Sequence, residues 1–461
     1  MQELNRLYET DEFQMVVIYG RRRVGKTWLI QHFCQEKPAI LYVAIEQNDQ
    51  GALMSFSKQV LEAFPAAKSY LDNFSTWEKC FDYIAEQAKD TRLIVAIDEY
   101  PYMAMSNPSI SSIIQKVIDT KLLQSRLFLI LCGSSMSFME HQVLGYQSPL
   151  YGRRTAQFKI EPFDYYTSSR FYSQNEAYSD EDKLVAYGIT GGIPQYLHLI
   201  AKYDSLEESI YRNFFRKDGH LFEEPNSILK QELREPAVYN SIIKAIADGA
   251  SKLNDIAMKS GEDNKKCSRY LSALIDLHMV KKEYPIGSSL SRNGVYALKD
   301  TMFRFWYRYV PNYITNIEAG MGEIIVKKKV IPTISEYMGK VFEDICMQYL
   351  IHRNKALTLP FMFDQIGRWW GNNPHKRRQE EIDILAISDR SAIVCECKWR
   401  NEPLGLDVLY ALKEKSISLS SYQSFYYFIF SKKGFKKELI ELSGSDPSIE
   451  LIDLQRIMNL S

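Results

Sequence analysis

Eight residues, Gly20-Arg21-Arg22-Arg23-Val24-Gly25-Lys26-Thr27, constrain this chain more than any other stretch. They fit the pattern G-x-x-x-x-G-K-[ST], and their flanks give it mechanical meaning. Residues 15–19 form a short apolar, β-rich run, and residues 28–33 read as the first turns of a helix. Strand, glycine-bounded loop and helix in that order gather loop N–H groups and a helix N-terminus around one anion. There Lys26 reaches the β- and γ-phosphates of a nucleotide, and Thr27 offers its hydroxyl to Mg²⁺. An ordinary glycine turn requires neither of those side chains nor both flanks.

Further strands are expected at residues 39–44, 93–99 and 127–132, and helices at 2–10, 51–61 and 77–88. The run Leu93-Ile94-Val95-Ala96-Ile97-Asp98-Glu99 is apolar until its last two residues, as in a buried parallel strand with carboxylates at its C-terminal edge. Asp98 is placed to hold Mg²⁺ through water, and Glu99 to polarise the water that attacks the γ-phosphate. Ser134 and Ser135 close the strand at 127–132; either can touch the γ-phosphate or that water, and either can be a plain helix cap. Alternating strands and helices imply a parallel sheet covered on both faces.

More segments then carry a resemblance. They are Ile97-Asp98-Glu99-Tyr100-Pro101-Tyr102, Cys132-Gly133-Ser134-Ser135, Ser148-Pro149-Leu150-Tyr151-Gly152-Arg153-Arg154 and Gly191-Gly192-Ile193-Pro194-Gln195-Tyr196-Leu197. With the phosphate loop, roughly the first half of the chain resembles the archaeal-type ATPase family, in the AAA+-like STAND branch of P-loop ATPases. The resemblance implies ATP as ligand, a strand inserted between the phosphate-loop strand and the Asp-Glu strand, and Glu99 as catalytic base. It implies that an arginine near Arg153 senses the γ-phosphate, within the molecule or across a nucleotide-dependent homo-oligomer. It also implies a helical lid containing Gly191-Gly192-Ile193-Pro194. Read from the residues alone, Arg153 serves equally well in a surface ion pair, and the Gly-Gly segment as a turn joining two packed helices.

The chain has 461 residues, too many for one ordinary core. Its net charge is zero, so no global basic field announces nucleic acid, and any such contact must be local. No apolar run approaches the ~20 residues that span a bilayer, so no membrane partner is expected. The opening residues lack the basic-then-apolar build of a secretory signal. Seven scattered cysteines without C-x-x-C spacing argue against disulfides or a zinc site, and the cytoplasm is the expected compartment.

Residues 238–247, 253–258 and 264–277 read as three helices, followed by a hairpin over 280–285 and 294–298. That succession suggests a winged helix-turn-helix, with Lys265, Lys266 and Arg269 on the exposed side of its third helix, either facing DNA or serving a protein-packing module. The aromatic helix at 301–310 is expected in a core or an interface.

The last third reads as its own α/β unit: a helix at 341–350, a loop with Trp369, Trp370 and the basic run His375-Lys376-Arg377-Arg378, then a hairpin over 381–386 and 392–398. Glu396 and Lys398 project from one face of the second strand, and Cys395 and Cys397 from the other. Asp383 faces Glu396 across the hairpin. Asp…Glu-x-Lys with Glu343 on a preceding helix resembles the PD-(D/E)XK nuclease superfamily, in a domain of unknown function fused to archaeal-type ATPases. The resemblance implies Asp383, Glu396 and the Cys397 carbonyl as ligands of Mg²⁺ or Mn²⁺. Lys398 would orient or deprotonate the attacking water, and Glu343 would support metal or water. Close to such a metal site, Lys398 is expected to have its pKa pulled down. The bland alternative is a hairpin with a cross-strand ion pair.

These readings combine into a P-loop ATPase core (1–165), helical lid (166–233), winged helix (234–300), helical linker (301–335) and nuclease-like α/β domain (336–461). The expected function is an ATPase switch coupled to a metal-dependent nuclease-like domain acting on nucleic acid, DNA foremost. The alternative is an ATP-dependent regulatory or scaffold protein with a non-cleaving C-terminal domain.

Overall fold

The computed structural model describes residues 1–172, 177–287, 294–373 and 378–460. Two compact units divide the chain, Met1–Pro162 and Phe163–Ser461.

In the first unit, strands β1 (Gln14–Tyr19), β2 (Ala39–Val43), β3 (Leu93–Asp98), β4 (Leu127–Gly133) and β5 (Ala156–Lys159) form one sheet. Its order is β2-β3-β4-β1-β5, and every pairing is parallel. The inserted strand implied by the family resemblance is β4, between β1 and β3. Helices Gln2–Glu9 and Lys26–Cys34 cover one face through Leu4, Leu7, Ile30 and Phe33. Helices Asp49–Ala63, Trp77–Gln87 and Ile110–Thr120 cover the other. With both faces covered, β1, β3 and β4 are buried along their whole length, which is why their sequences are continuously apolar. Strand β5 was not expected; it is a short edge strand with alternating exposure.

The second unit begins with helices that include Asp180–Thr190 and Pro194–Ala201. Gly191 (φ 62°) and Gly192 (φ 74°) turn the chain between them, and Gly192 O accepts a hydrogen bond from Phe163 N. Helices Pro236–Ala247, Leu253–Ser260 and Asn264–Asp276 follow, then the antiparallel pair β6 (Val280–Glu283) and β7 (Val295–Leu298). Helix Thr301–Tyr309 buries Met302, Phe303, Phe305, Trp306, Tyr307 and Tyr309, so it is a core element.

Helix Ile334–Lys355 is longer at both ends than the 341–350 expected. It precedes a mixed sheet of β8 (Gln365–Asn373), β9 (Arg378–Ser388), β10 (Ser391–Lys398), β11 (Ser424–Ser431) and β12 (Ile449–Asp453), in the order β12-β11-β10-β9-β8. Strand β9 runs antiparallel to both of its neighbours, β8 and β10, whereas β10, β11 and β12 run parallel. Trp369 and Trp370 therefore lie in a strand rather than a loop; pairing with β9 extends them in spite of the flanking glycines, with a bulge between Gly367 and Trp369. Of the basic run, His375, Lys376 and Arg377 lie outside the described residues, and Arg378 opens β9. Cys395, Cys397, Phe428 and Phe430 share one apolar core with Ile189, Tyr196, Phe305 and Tyr337, so this sheet face and the preceding helices are built around the same interior.

Candidate functional site

The phosphate loop hangs between β1 and the helix Lys26–Cys34. Gly20 sits where Ile160 runs past: a Cβ on it would lie 2.2 Å from Ile160 O. Gly25, at φ 93°, ends the loop and starts the helix. Lys26 is 5% exposed, and its Nζ donates to Gly20 O at 2.9 Å and Arg21 O at 3.0 Å. Burial holds its pKa below the ordinary lysine value, against the opposing pull of Cys132, Glu99 and Asp98.

The carboxylates expected at the edge of β3 are there. Thr27 Oγ1 donates to Asp98 Oδ2 at 2.5 Å, and Glu99 N donates to Asp98 Oδ1 at 3.0 Å. Glu99 takes a left-handed backbone (φ 53°), uncommon without glycine. Its Oε2 accepts from Ser134 Oγ at 2.8 Å and Ser134 N at 3.2 Å. Of the two serines open in the sequence, Ser134 thus joins Glu99, while Ser135 precedes a short helix without a side-chain capping bond. Lys26, Thr27, Asp98, Glu99 and Ser134 form one continuous polar edge. In the loop, Arg22 Nη2 donates to Tyr102 OH at 3.3 Å, while Val24 is buried. Arg153 is held elsewhere: its Nε and Nη2 donate to Asp119 at 2.9 and 2.7 Å, and its Nη1 donates to Pro149 O at 3.0 Å. This is the ion pair that the residues alone allowed.

A second cluster lies at the end of the β9–β10 pair. Asp383 Oδ2 accepts from Cys397 N at 2.8 Å and lies 3.7 Å from Lys398 Nζ. Lys398 also pairs with Glu396, whose other oxygen accepts from Lys415 at 2.7 Å. Burial and the neighbouring Glu396 raise the Asp383 pKa. Burial pulls Lys398 down, but Asp383 and Glu396 outweigh it, and its pKa stands above the ordinary value. Two carboxylates hold the proton on it here; the lowering expected from sequence is that of a lysine beside a bound metal. Glu343, on the helix Ile334–Lys355, accepts from Lys340 at 2.8 Å. Burial pushes its pKa up to about 7, with Asp383 adding to the rise and Lys340 opposing it.

At the loop, Thr27 and Asp98 put two hard oxygens side by side, which suits Mg²⁺. In the second cluster Asp383 and Glu396 converge on one ammonium, also as hard oxygen donors. Among the described residues, no three or more His, Cys, Asp or Glu side chains are grouped to hold a metal ion. Nor is any helix among them long and apolar enough to cross a membrane.

The family described as an ATPase domain predominantly from Archaea matches residues 1–200. A family described as archaeal and bacterial proteins of unknown function matches residues 306–416. An uncharacterised protein of Methanocaldococcus jannaschii, MJECL04, is 32% identical over 447 residues, spanning 95% of this chain and 95% of its own length. The chain belongs to the archaeal-type ATPase family. Another M. jannaschii protein, MJ0424, is 40% identical over 55 residues, 12% of this chain and 53% of that protein. The Walker-type ATPase PABY2304 of Pyrococcus abyssi shares the fold at a TM-score of 0.52 and 20% identity, over 67% of this chain and 95% of that one.

In this archaeal-type ATPase, three charged neighbours of the second cluster escaped sequence reading. Lys415 stands on the helix Leu406–Ser416, and only the fold brings it to Glu396. Lys340 is one helical turn before Glu343, a spacing that could have flagged it. Arg368 lies in β8, the strand mistaken for a loop, where nothing local announces its partners.

Proposed function

We propose that this chain is an ATP-hydrolysing switch working at the Lys26–Thr27–Asp98–Glu99–Ser134 edge. The observation that carries the reading is the bonded succession of Thr27 to Asp98, Asp98 to the Glu99 amide, and Glu99 to Ser134, beside a buried Lys26. Main-chain N–H groups of residues 20–27 surround the phosphates, and the Lys26 ammonium turns from loop carbonyls to phosphate oxygens. Glu99 orients the attacking water and takes its proton, while Ser134 fixes the carboxylate's direction. Thr27 and Asp98 would hold Mg²⁺, which neutralises phosphate charge when bound. Arg153 becomes a phosphate sensor only by leaving Asp119, in the same molecule or in a nucleotide-dependent oligomer. Steady-state phosphate release with ATP and Mg²⁺ tests the reading; a wild-type protein with no turnover overturns it.

A second activity is proposed for the cluster of Asp383, Glu396, Lys398 and Glu343. Two carboxylates, Glu396 buried and Asp383 half-buried, share one lysine and support a site for Mg²⁺ or Mn²⁺ that cleaves phosphodiesters, with Lys398 and Glu343 handling the water. The three helices and the β6–β7 pair support a winged-helix reading. In it Lys265, Lys266 and Arg269 meet DNA, although Lys266 also pairs with Glu262 at 2.9 Å and Arg269 lies over the Tyr270 ring. The segments 1–165, 166–233, 234–300, 301–335 and 336–461 remain our proposed functional division. Plasmid and single-stranded DNA incubated with Mg²⁺ or Mn²⁺ should be cut by the wild type and spared by Asp383→Ala and Lys398→Ala. A salt-sensitive DNA shift without cutting favours the binding-only regulatory alternative.

A further inference from the structure

We propose that Arg368 is a positioning residue that ties the β6–β7 pair to the divalent-cation affinity of the Asp383–Glu396 pocket. This rests on the reading that the pocket takes such a cation.

Arg368 is held at both its ends. Its side chain is 18% exposed and faces three carboxylates from three elements: Glu283 of β6 at 3.3 Å, Glu343 of the helix Ile334–Lys355 at 3.6 Å, and Glu381 of β9. The Trp370 ring lies beneath the guanidinium, 6.0 Å away. Its carbonyl accepts from Ile286 N at 3.0 Å, just beyond β6. Ile286 packs into the apolar layer of Trp369 and Ile387, so this stretch is seated on the edge of the large sheet. Lys281 pairs with Glu283 at 2.6 Å, and Lys340 lies 2.8 Å from Glu343 and 3.5 Å from Glu381.

One guanidinium thus serves three acids, and its allocation depends on where β6 sits. If β6 withdraws, Glu283 goes with it, and Arg368 settles on Glu343, beside Asp383. Positive charge added there weakens a bound cation. Linkage makes the effect reciprocal: a cation in the pocket repels the guanidinium toward Glu283 and strengthens the hold on β6.

The test is a double-mutant cycle on the full chain, titrating Mn²⁺ alone and reading the free ion by electron paramagnetic resonance. Glu283→Gln should weaken Mn²⁺ binding by about fivefold, and Arg368→Gln should tighten it. The double variant should match Arg368→Gln. A Glu283→Gln effect that persists undiminished without Arg368 is plain through-space charge and overturns the proposal. Wild-type binding that is absent, or unaffected by Asp383→Ala, sinks the cation reading itself and this cation coupling with it. A metal-free measurement guards against an Arg368 variant that fails to fold. Glu343→Gln frees the guanidinium for Glu283, so amide exchange over 280–286 should slow; unchanged exchange overturns the relay.

Discussion

At the residue scale the loop lysine and the β3 carboxylates make separable contributions. Lys26→Ala removes the single buried ammonium of the phosphate site and should abolish binding of a fluorescent ATP analogue. Glu99→Gln keeps the hydrogen bond to Ser134 but removes the base, so nucleotide should still bind while turnover falls by about 10²- to 10⁴-fold in a phosphate-release assay. Glu343 gives a prediction in pH. Its folded pKa of about 7 lies above the ordinary 4.5. Between those values the folded chain keeps a proton that the unfolded chain gives up, so this group's contribution to stability falls as pH rises through that window. Glu343→Gln should therefore stabilise the protein near pH 8, by on the order of 2 kcal/mol, and have little effect near pH 5. Denaturant midpoints at the two pH values check this.

Among elements, legibility followed burial and continuity. Strands β1, β3 and β4 were readable because a covered sheet demands unbroken apolar runs, and acids at the end of β3 mark its direction. The helix and strand order of 236–300 was readable from helical spacing and from the glycine at 261. Strand β5 was not, because an edge strand of Ala-Gln-Phe-Lys buries too little to leave a pattern. Nor was β8, whose Gly367 and Gly371 look like loop residues until β9 pairs with them. At the sites, local spacing exposed Lys26, Asp98, Glu99, Asp383, Glu396 and Lys398. Lys415 and Arg368 act across elements, and only the fold brings them in. The Gly191-Gly192 turn yields another prediction. A Cβ on Gly192 would meet Phe163 O at 1.9 Å with φ at 74°. Gly192→Ala should cost more than about 2 kcal/mol, seen as a lower melting temperature.

The whole molecule divides at Pro162, so heating should reveal more than one transition. Nucleotide that binds the loop should stabilise the unit of Met1–Pro162 directly, by about 2.7 kcal/mol at a hundredfold excess over Kd. Scanning calorimetry with and without ATP and Mg²⁺ should show the transition of that unit moving upward. A single transition, or one that ATP leaves in place, would contradict the assignment.

The border of the ATPase family match, residue 200, falls well inside the second unit. Tyr187 receives a hydrogen bond from Gln348, Gly188 O accepts one from Tyr337, and Ile189 and Tyr196 sit in the core that Phe305 and Val341 help to build. A recombinant piece trimmed at the family border would therefore carry naked greasy helices and should clump during purification. One trimmed at residue 162 keeps its own interior whole and should stay dispersed, so the shorter piece is the better-behaved reagent.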